Sequence, residues 1–256
     1  MKKIIWIDVG THFAQEYNSI FGSNFNFYTQ IAIRFVSGNI LGRGKALEFK
    51  DIIKIISARK YIRKRKKEFY TIFIEANPKI TYNKNIYRNA DMVLNLALTD
   101  DNCTSLSIIK LYLGGGGELS QSGSVFSQKH IGFEDKFTPA LSISTDNCFR
   151  MLEKYLSEKF KDYVVLLRLN CEGVEDNVIY SAHSYFGKKL QLICGALKDV
   201  GELKGLETLN KLEEFIDVNE IAFTKFNSPV NTWAEGQKAI QNLLKQINSI
   251  SNFKIK

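Results

Sequence analysis

The sequence predicts an open, doubly wound α/β domain: a mostly parallel sheet with helices on both faces. Three observations predict it. Several strand-like runs are apolar throughout, such as "IIWID" at 4–8 and "YVVLLRLN" at 163–170. That is the pattern of strands buried on both faces of a parallel sheet, whereas a half-solvated strand alternates. Segments of helical period alternate with these runs, as strand–helix–strand units require. Finally, no internal repeat and no Pro-rich linker divides the 256 residues, which include only three prolines, so one domain over 1–256 is expected.

Seven runs read as strands, at 4–8, 70–75, 92–98, 105–113, 163–170, 190–196 and 219–226. Helical spacing marks 44–67, 145–160, 174–186, 203–215 and 232–250. In the last, Ala234, Ile240, Leu243, Leu244 and Ile247 recur on one face. Two stretches look like insertions. Residues 16–69 are too many for one strand–helix–strand connection, and 113–139 are polar and glycine-laden ("LGGGGELSQSGSVFSQKHIGFEDKFTP"). An ordered loop of that length is expected to serve as a lid or substrate loop.

Composition narrows the function classes. The chain is 45% hydrophobic and 12% aromatic, which argues against disorder. No apolar run reaches the roughly 18 residues that span a bilayer, and Asp8 arrives too early for a signal peptide. A cytoplasmic protein without integral membrane association is expected. Cys103, Cys148, Cys171 and Cys194 are scattered, with no C-x-x-C pair and no His at ligand spacing, so no metal is expected. The net charge is +8, and seven of the twelve residues at 58–69 are Lys or Arg. On a helix, Ile52, Ile55, Ile56 and Ile62 form an apolar face that leaves those cations in water. They are either a solvated face or a patch that steers an anionic substrate, a polymer or a membrane surface.

In open α/β sheets ligands bind beyond the carboxyl ends of the strands, where the strand order reverses. The residues that end each strand are therefore the candidates. The first strand ends "DVGTHFA": Gly10 lets backbone approach a ligand, and Thr11, His12 and Ala14 stand where dinucleotide loops carry more glycine. The second ends "FIEANP", placing Glu75 where a carboxylate can accept both hydroxyls of a ribose. The third offers Asn95, Asp100 and Asp101, suited to an adenine amino group or to capping a turn. The fourth reads "LLRLNCEGVED", with Asn170, Glu172, Gly173 and Glu175 opening a helix. Glu175 is explained by the helix dipole alone; Glu172 is not. A ribose-binding acid fits a nicotinamide dinucleotide or S-adenosylmethionine. A pyrophosphate cradle needs the glycines that "GTHFAQ" lacks, whereas a phosphate-free cationic sulfonium does not, and it gains from Asp8 and Glu75.

These four stretches together resemble the FkbM-type family of class I S-adenosylmethionine-dependent methyltransferases. Such enzymes carry, in order, Asp-x-Gly-Ala-Asn-type, acid-x-Asn-Pro, Asn-x-Ala-Leu and Lys-Ile-Asp-x-Glu-Gly-x-Glu motifs. The counterparts here are "IDVGTHFA", "IEANP", "NLAL" and "LRLNCEGVE", with "SISTDNCFRML" similar to the family's Ser/Thr-Leu-Asp helix start. His12, Ala14, Arg168 and Asn170 depart from the usual Asn, Gly, Lys and Asp. The resemblance covers 4–8 and 70–180. It implies a Rossmann-like, seven-stranded sheet and S-adenosylmethionine as cofactor, with contacts at Asp8, Gly10, Glu75, Asn95 and Ala97, joined by Thr11 and Asn170 from the same motifs.

Family members mostly O-methylate sugars, natural products or related acceptors. The resemblance therefore implies a saccharide or other small-molecule acceptor, here a sugar or a sugar-linked anion such as a phosphate or phosphoramidate in bacterial capsule assembly. Methyl transfer from a sulfonium is an in-line displacement that depends on positioning, and a hydroxyl acceptor must also lose its proton. Glu172 is the first candidate for base or acceptor-positioning residue, followed by His12 and His183; His130 could swing in from the glycine-rich loop, and Arg168 would organise the site electrostatically. Two other readings compete: a non-catalytic module that binds an anionic polymer, and a nucleic-acid methyltransferase. The second lacks the Asn/Asp-Pro-Pro-Tyr/Phe motif whose aromatic ring stacks on a target base, so no nucleic-acid partner is expected.

Overall fold

The computed structural model describes residues 2–42, 46–82, 84–100, 105–120 and 122–253; Asp101 and Cys103 lie outside the described residues. The elements of the first half are β1 (Lys3–Val9), α1 (Gln15–Phe21), α2 (Asn24–Phe35), α3 (Phe49–Lys64), β2 (Phe69–Ile74), α4 (Pro78–Thr81), α5 (Lys84–Tyr87), β3 (Met92–Leu94), β4 (Ala97–Thr99) and β5 (Ser107–Tyr112). Then follow β6 (Phe137–Ser144), α6 (Thr145–Lys159), β7 (Tyr163–Leu169), α7 (Glu175–Phe186), β8 (Leu190–Gly195), α8 (Lys198–Lys204), α9 (Leu206–Val218), β9 (Phe223–Lys225) and α10 (Val230–Phe253).

The continuous apolar runs become the central strands. All residues of β2 and β7 are buried, as are six of the seven in β1. The sheet order is β3-β2-β1-β7-β8-β9, and the β2–β3, β1–β7 and β7–β8 pairs are parallel. Helices flank this Rossmann-like, doubly wound sheet. Ile5, Ile7, Val165 and Leu167 of its strands share one core with Phe149 and Leu152 of α6 and Val178 and Ile179 of α7. Each fully buried side chain of this size contributes about 1.5–3 kcal/mol. Ser144 caps α6 by accepting from the Asn147 N–H.

The strand count differs from the expected seven. Among the described residues the main sheet has six strands, and a separate three-stranded sheet has the order β4-β6-β5. The run at 92–98 divides between them: β3 pairs with β2 and β4 with β6. The break falls at Asn95, whose Nδ2 donates to the Glu75 carbonyl at 2.8 Å and ends the ladder beside it. The run at 105–113 becomes β5, antiparallel to β6, a strand hidden in the tail of the glycine-rich stretch. At the chain's end, α9 continues to Val218, so the strand expected over 219–226 shrinks to β9.

The chain falls into two compact units, residues 1–13 with 70–223 and residues 14–69 with 224–256. The long stretch at 16–69 thus belongs to a helical unit completed by α10. Within it the buried Arg59 donates to the carbonyls of Ser19 (2.9 Å) and Gly22 (2.9 Å), satisfying the open C-terminus of α1. Arg65 binds Glu68 and the Leu244 carbonyl of α10 at 2.6 Å.

Candidate functional site

The strand order reverses at β1: β2 and β3 lie on one side of it, β7, β8 and β9 on the other. The carboxyl ends of β1, β2 and β7 therefore meet at the switch point, the place where open α/β sheets bind ligands. A small cavity of about 30 Å³ lies there. Gly10, His12, Glu75, Ala97, Asn170 and Cys171 line it, with Leu111, Gly123 and Val125.

Backbone strain gathers around this cavity. Gly10 and His12 have φ of +69° and +49°, and Glu172 and Gly173 have +62° and +122°. Non-glycine residues rarely adopt this region. Each case has a local cause. The His12 N–H donates to Glu75 Oε2 at 2.7 Å, while the His12 carbonyl accepts from Tyr87 Oη at 2.6 Å. Glu175, at the start of α7, accepts from the N–H groups of Cys171 and Gly173, both at 2.9 Å, and so folds the 171–175 turn onto the helix end.

Glu75 sits at the tip of β2, 4% exposed. One oxygen accepts from His12 N and the other from Asn77 N at 2.8 Å. Each oxygen keeps acceptor capacity beyond that bond. Burial raises its pKa, opposed by the Asn77 and His12 hydrogen bonds. Asn95 holds the Glu75 carbonyl, and Thr11 Oγ1 donates to the Asp8 carbonyl at 2.7 Å, tying the β1 end to itself. Asp8 and Arg168 face each other on neighbouring strands. They form a buried ion pair of 3.1 Å between adjacent strands, and Arg168 also donates to the Gly10 carbonyl at 2.8 Å. Neither lines the cavity, and Thr11, Asn95 and Glu172 do not line it either.

Glu172 is held in a carboxylate cluster. Lys129, from the glycine-rich stretch, bonds both Glu172 and Asp199 of α8, the latter at 2.5 Å, and Asn170 Nδ2 donates to Glu172 Oε1 at 3.1 Å. Burial raises the Glu172 pKa against the pull of Lys129. Burial favours the neutral Lys129 amine, but its bonds to Asp199 and Glu172 outweigh that and raise its pKa. Ser124 Oγ donates to the Glu172 carbonyl at 2.7 Å. Phe126 lies 2.9 Å from where a Cβ on Gly173 would project, so the glycine-rich stretch is seated on the end of β7. His130 is buried there, its Nε2 2.8 Å from the Ser122 carbonyl and its ring filling the space a Gly114 side chain would take. It is packed in place, not swung towards the cavity. His183 also lies apart: its ring meets Phe215 edge-on, on the last turn of α7. Asp100 pairs with Lys204 at 3.5 Å.

Sequence reasoning missed Lys129, Asp199 and Tyr87. The signal available for Lys129 was indirect: a buried glutamate at a strand end calls for a cation, and Lys129 lies in the stretch expected to cover it. Among the described residues no group of His, Cys, Asp and Glu could hold a metal ion, and Cys148, Cys171 and Cys194 are free.

Comparison with protein-family models, curated proteins and solved structures finds no match to this chain.

The cavity's electrostatics give one prediction. Burial, then the charges of Arg168 and Lys129, push the His12 pKa down to about 3. At neutral pH the imidazole is therefore uncharged and a weak base. The folded state binds fewer protons than the unfolded chain between pH 6.5 and about 3, so stability held above that window is lost as pH falls through it. Glu75, Glu172 and Glu175, all raised by burial, act in the opposite sense just above the ordinary carboxylate range. They are common to wild type and variant. In His12→Asn, where asparagine tolerates the left-handed backbone, melting temperature should fall less steeply than in wild type as pH drops from 6.5 towards 3. Parallel slopes would place the imidazole in ordinary solvent.

Proposed function

We propose that this chain is an S-adenosylmethionine-dependent O-methyltransferase of the FkbM type. Its acceptor would be a sugar or sugar-linked anion, such as a phosphate or phosphoramidate, in bacterial capsule assembly. The observation that carries this reading is Glu75: a buried carboxylate at the switch point, steadied by two backbone N–H groups, with both oxygens still able to accept. Ribose hydroxyls are its natural donors. The apolar side chains of Leu96, Leu98 and Val174 beside it suit an adenine ring.

The donor set fits this cofactor, and the volume sets a condition. Nucleoside-sized ligands occupy pockets of about 300–1,000 Å³, against a present cavity of about 30 Å³. Binding therefore requires this cavity to widen. When bound, the cofactor supplies an electrophilic methyl group. This chain's part is to orient the ribose through Glu75, to keep water out through Leu111 and Val125, and to take up the acceptor's proton at Glu172. Its raised pKa makes Glu172 a stronger base than an ordinary carboxylate. Lys129 holds that carboxylate in place.

Calorimetric titration with S-adenosylhomocysteine tests the reading. Wild type should bind, and Glu75→Gln should bind about 30-fold more weakly, roughly 2 kcal/mol for losing charged hydrogen bonds. No binding by folded wild type would sink it. Release of demethylated cofactor in a screen of nucleotide sugars and polysaccharide precursors would then identify the acceptor.

A further inference from the structure

Charge is divided unequally between the two units. The helical unit, residues 14–69 with 224–256, carries 17 Lys and Arg against 5 Asp and Glu; the other carries 18 against 22. The chain's basic character thus belongs to the helical unit alone. Among the described residues, the large apolar side chains this unit exposes lie on α2, on the π-helical turn Val36–Ile40 with Leu41 just after it, and on α3. Phe25 is 79% and Phe49 71% exposed, and Ile33, Ile40, Leu41 and Ile53 are each more than half exposed.

The helical period explains why they face out. On α2, Phe27 and Ile31 are the buried positions, which turns Phe25 and Ile33 to the far, exposed side; Tyr28 on the flank and Val36 just past the helix are exposed too. On α3, Ile55, Ala58 and Ile62 are buried, while Phe49 and Ile53 share the solvent face with Lys60 and Lys64. The two helices are fastened together: the Arg59 guanidinium lies 4.1 Å from the Phe27 ring centre, and Asn39 makes two hydrogen bonds to the Leu47 backbone. Among the described residues no carboxylate pairs with Lys60 or Lys64, whereas Lys50 and Lys54 have Glu48 and Asp51.

We propose that the exposed sides of α2 and α3 dock this protein on an anionic lipid surface, with Phe25, Phe49 and the exposed aliphatic side chains of these segments in the headgroup–acyl boundary and Lys60 and Lys64 among the phosphates. The charge and the apolar side chains together favour this occupant over a nucleic acid or a second copy. Lysines alone serve any polyanion, but aliphatic Ile33, Ile40, Leu41 and Ile53 gain nothing from a nucleic-acid strand. A second copy would bring two strongly basic units face to face. Lipid with anionic headgroups satisfies the charge and the apolar side chains at once. The proposal does not depend on the methyltransferase reading. It would place the protein at a membrane surface, where a lipid-linked substrate is met in two dimensions.

Flotation of the full chain with phosphatidylcholine vesicles, with and without phosphatidylglycerol, tests it. The protein should float with the anionic vesicles and hardly at all with the neutral ones. Lys60→Glu with Lys64→Glu should weaken binding about tenfold or more. Phe25→Ser with Phe49→Ser should weaken it about tenfold while melting temperature stays unchanged, because both rings are already in water. Failure to float overturns the proposal. So does binding that the phenylalanine pair leaves intact, since adhesion is then electrostatic only. A competing oligonucleotide that strips the protein from vesicles, or a dimer in solution that buries Phe25 and Phe49, overturns it as well.

Discussion

Replacing Arg168 by leucine should destabilise the protein by about 3–5 kcal/mol, the usual cost of removing one partner from a buried ion pair. Asp8 is fully buried and Arg168 is 3% exposed, so neither water nor salt can take the missing partner's place. The 3.1 Å bond from Arg168 Nη1 to Asp8 and the 2.8 Å bond to the Gly10 carbonyl vanish together. For a chain of this size each kcal/mol moves the melting temperature by about 2–4 °C, so a fall of roughly 10 °C is expected. Replacing both residues, Asp8→Asn with Arg168→Leu, removes the stranded charge. That double variant should recover at least half the loss, because a buried pair often exchanges for neutral groups at little net cost. Chemical denaturation of the wild type, both single variants and the double variant gives the coupling energy directly. A single-variant loss under about 1 kcal/mol would mean that the carboxylate is solvated or protonated. The experiment also separates two roles for Arg168. If it serves only the join between β1 and β7, the fraction that remains folded should bind S-adenosylhomocysteine as wild type does.

That pair also marks where sequence reading stops. The apolar runs of β1 and β7 show two buried strands, and placing Asp8 and Arg168 on them shows two costly charges. Nothing local shows that the strands are neighbours in matching register, with Asp8 opposite Arg168. Pairing across 160 residues is a property of topology, not of any window of sequence. Long-period features were legible for the opposite reason: α6, α7 and α10 each repeat one apolar face over several turns. The break at Asn95 was not, because an apolar stretch looks the same whether its two halves pair with one partner or two. At the site, Gly10, Glu75 and Asn170 come together as strand ends must. Lys129 did not announce itself, since a lysine in a polar loop is ordinary until a carboxylate cluster is placed beneath it. The exposed side of α2 was hidden for a related reason. Apolar residues on both sides of a helix suggest burial, and only the structure shows which side the fold leaves uncovered.

Gly10→Ala should damage both stability and binding, because one methyl group there meets two obstacles. The residue holds φ of +69°, a conformation that costs an L-residue about 1–2 kcal/mol. The new Cβ would stand 2.0 Å from the Asn170 carbonyl oxygen and 2.7 Å from its carbon, far inside contact distance. Neither is a side chain that can rotate away. Asn170 is fixed at the end of β7 by its own N–H, which donates to the Val9 carbonyl at 3.0 Å, and Gly10 by its N–H to Ile74 at 2.9 Å. Relief therefore requires the ends of β1 and β7 to part, at the edge where the cavity lies. With overpacking of this kind adding about 1–3 kcal/mol, a total loss near 2–5 kcal/mol is expected, together with S-adenosylhomocysteine binding too weak to measure by calorimetry. Gly195 supplies the control. Its Cβ would also meet a backbone oxygen, that of Leu169 at 2.1 Å, but it does not line the cavity and its φ is ordinary. Gly195→Ala should cost stability through the clash alone and leave the folded fraction able to bind. If the two variants lose binding equally, the defect is general loosening of the sheet. If only Gly10→Ala loses it, the close approach of β1 to β7 is what shapes the cofactor end of the site.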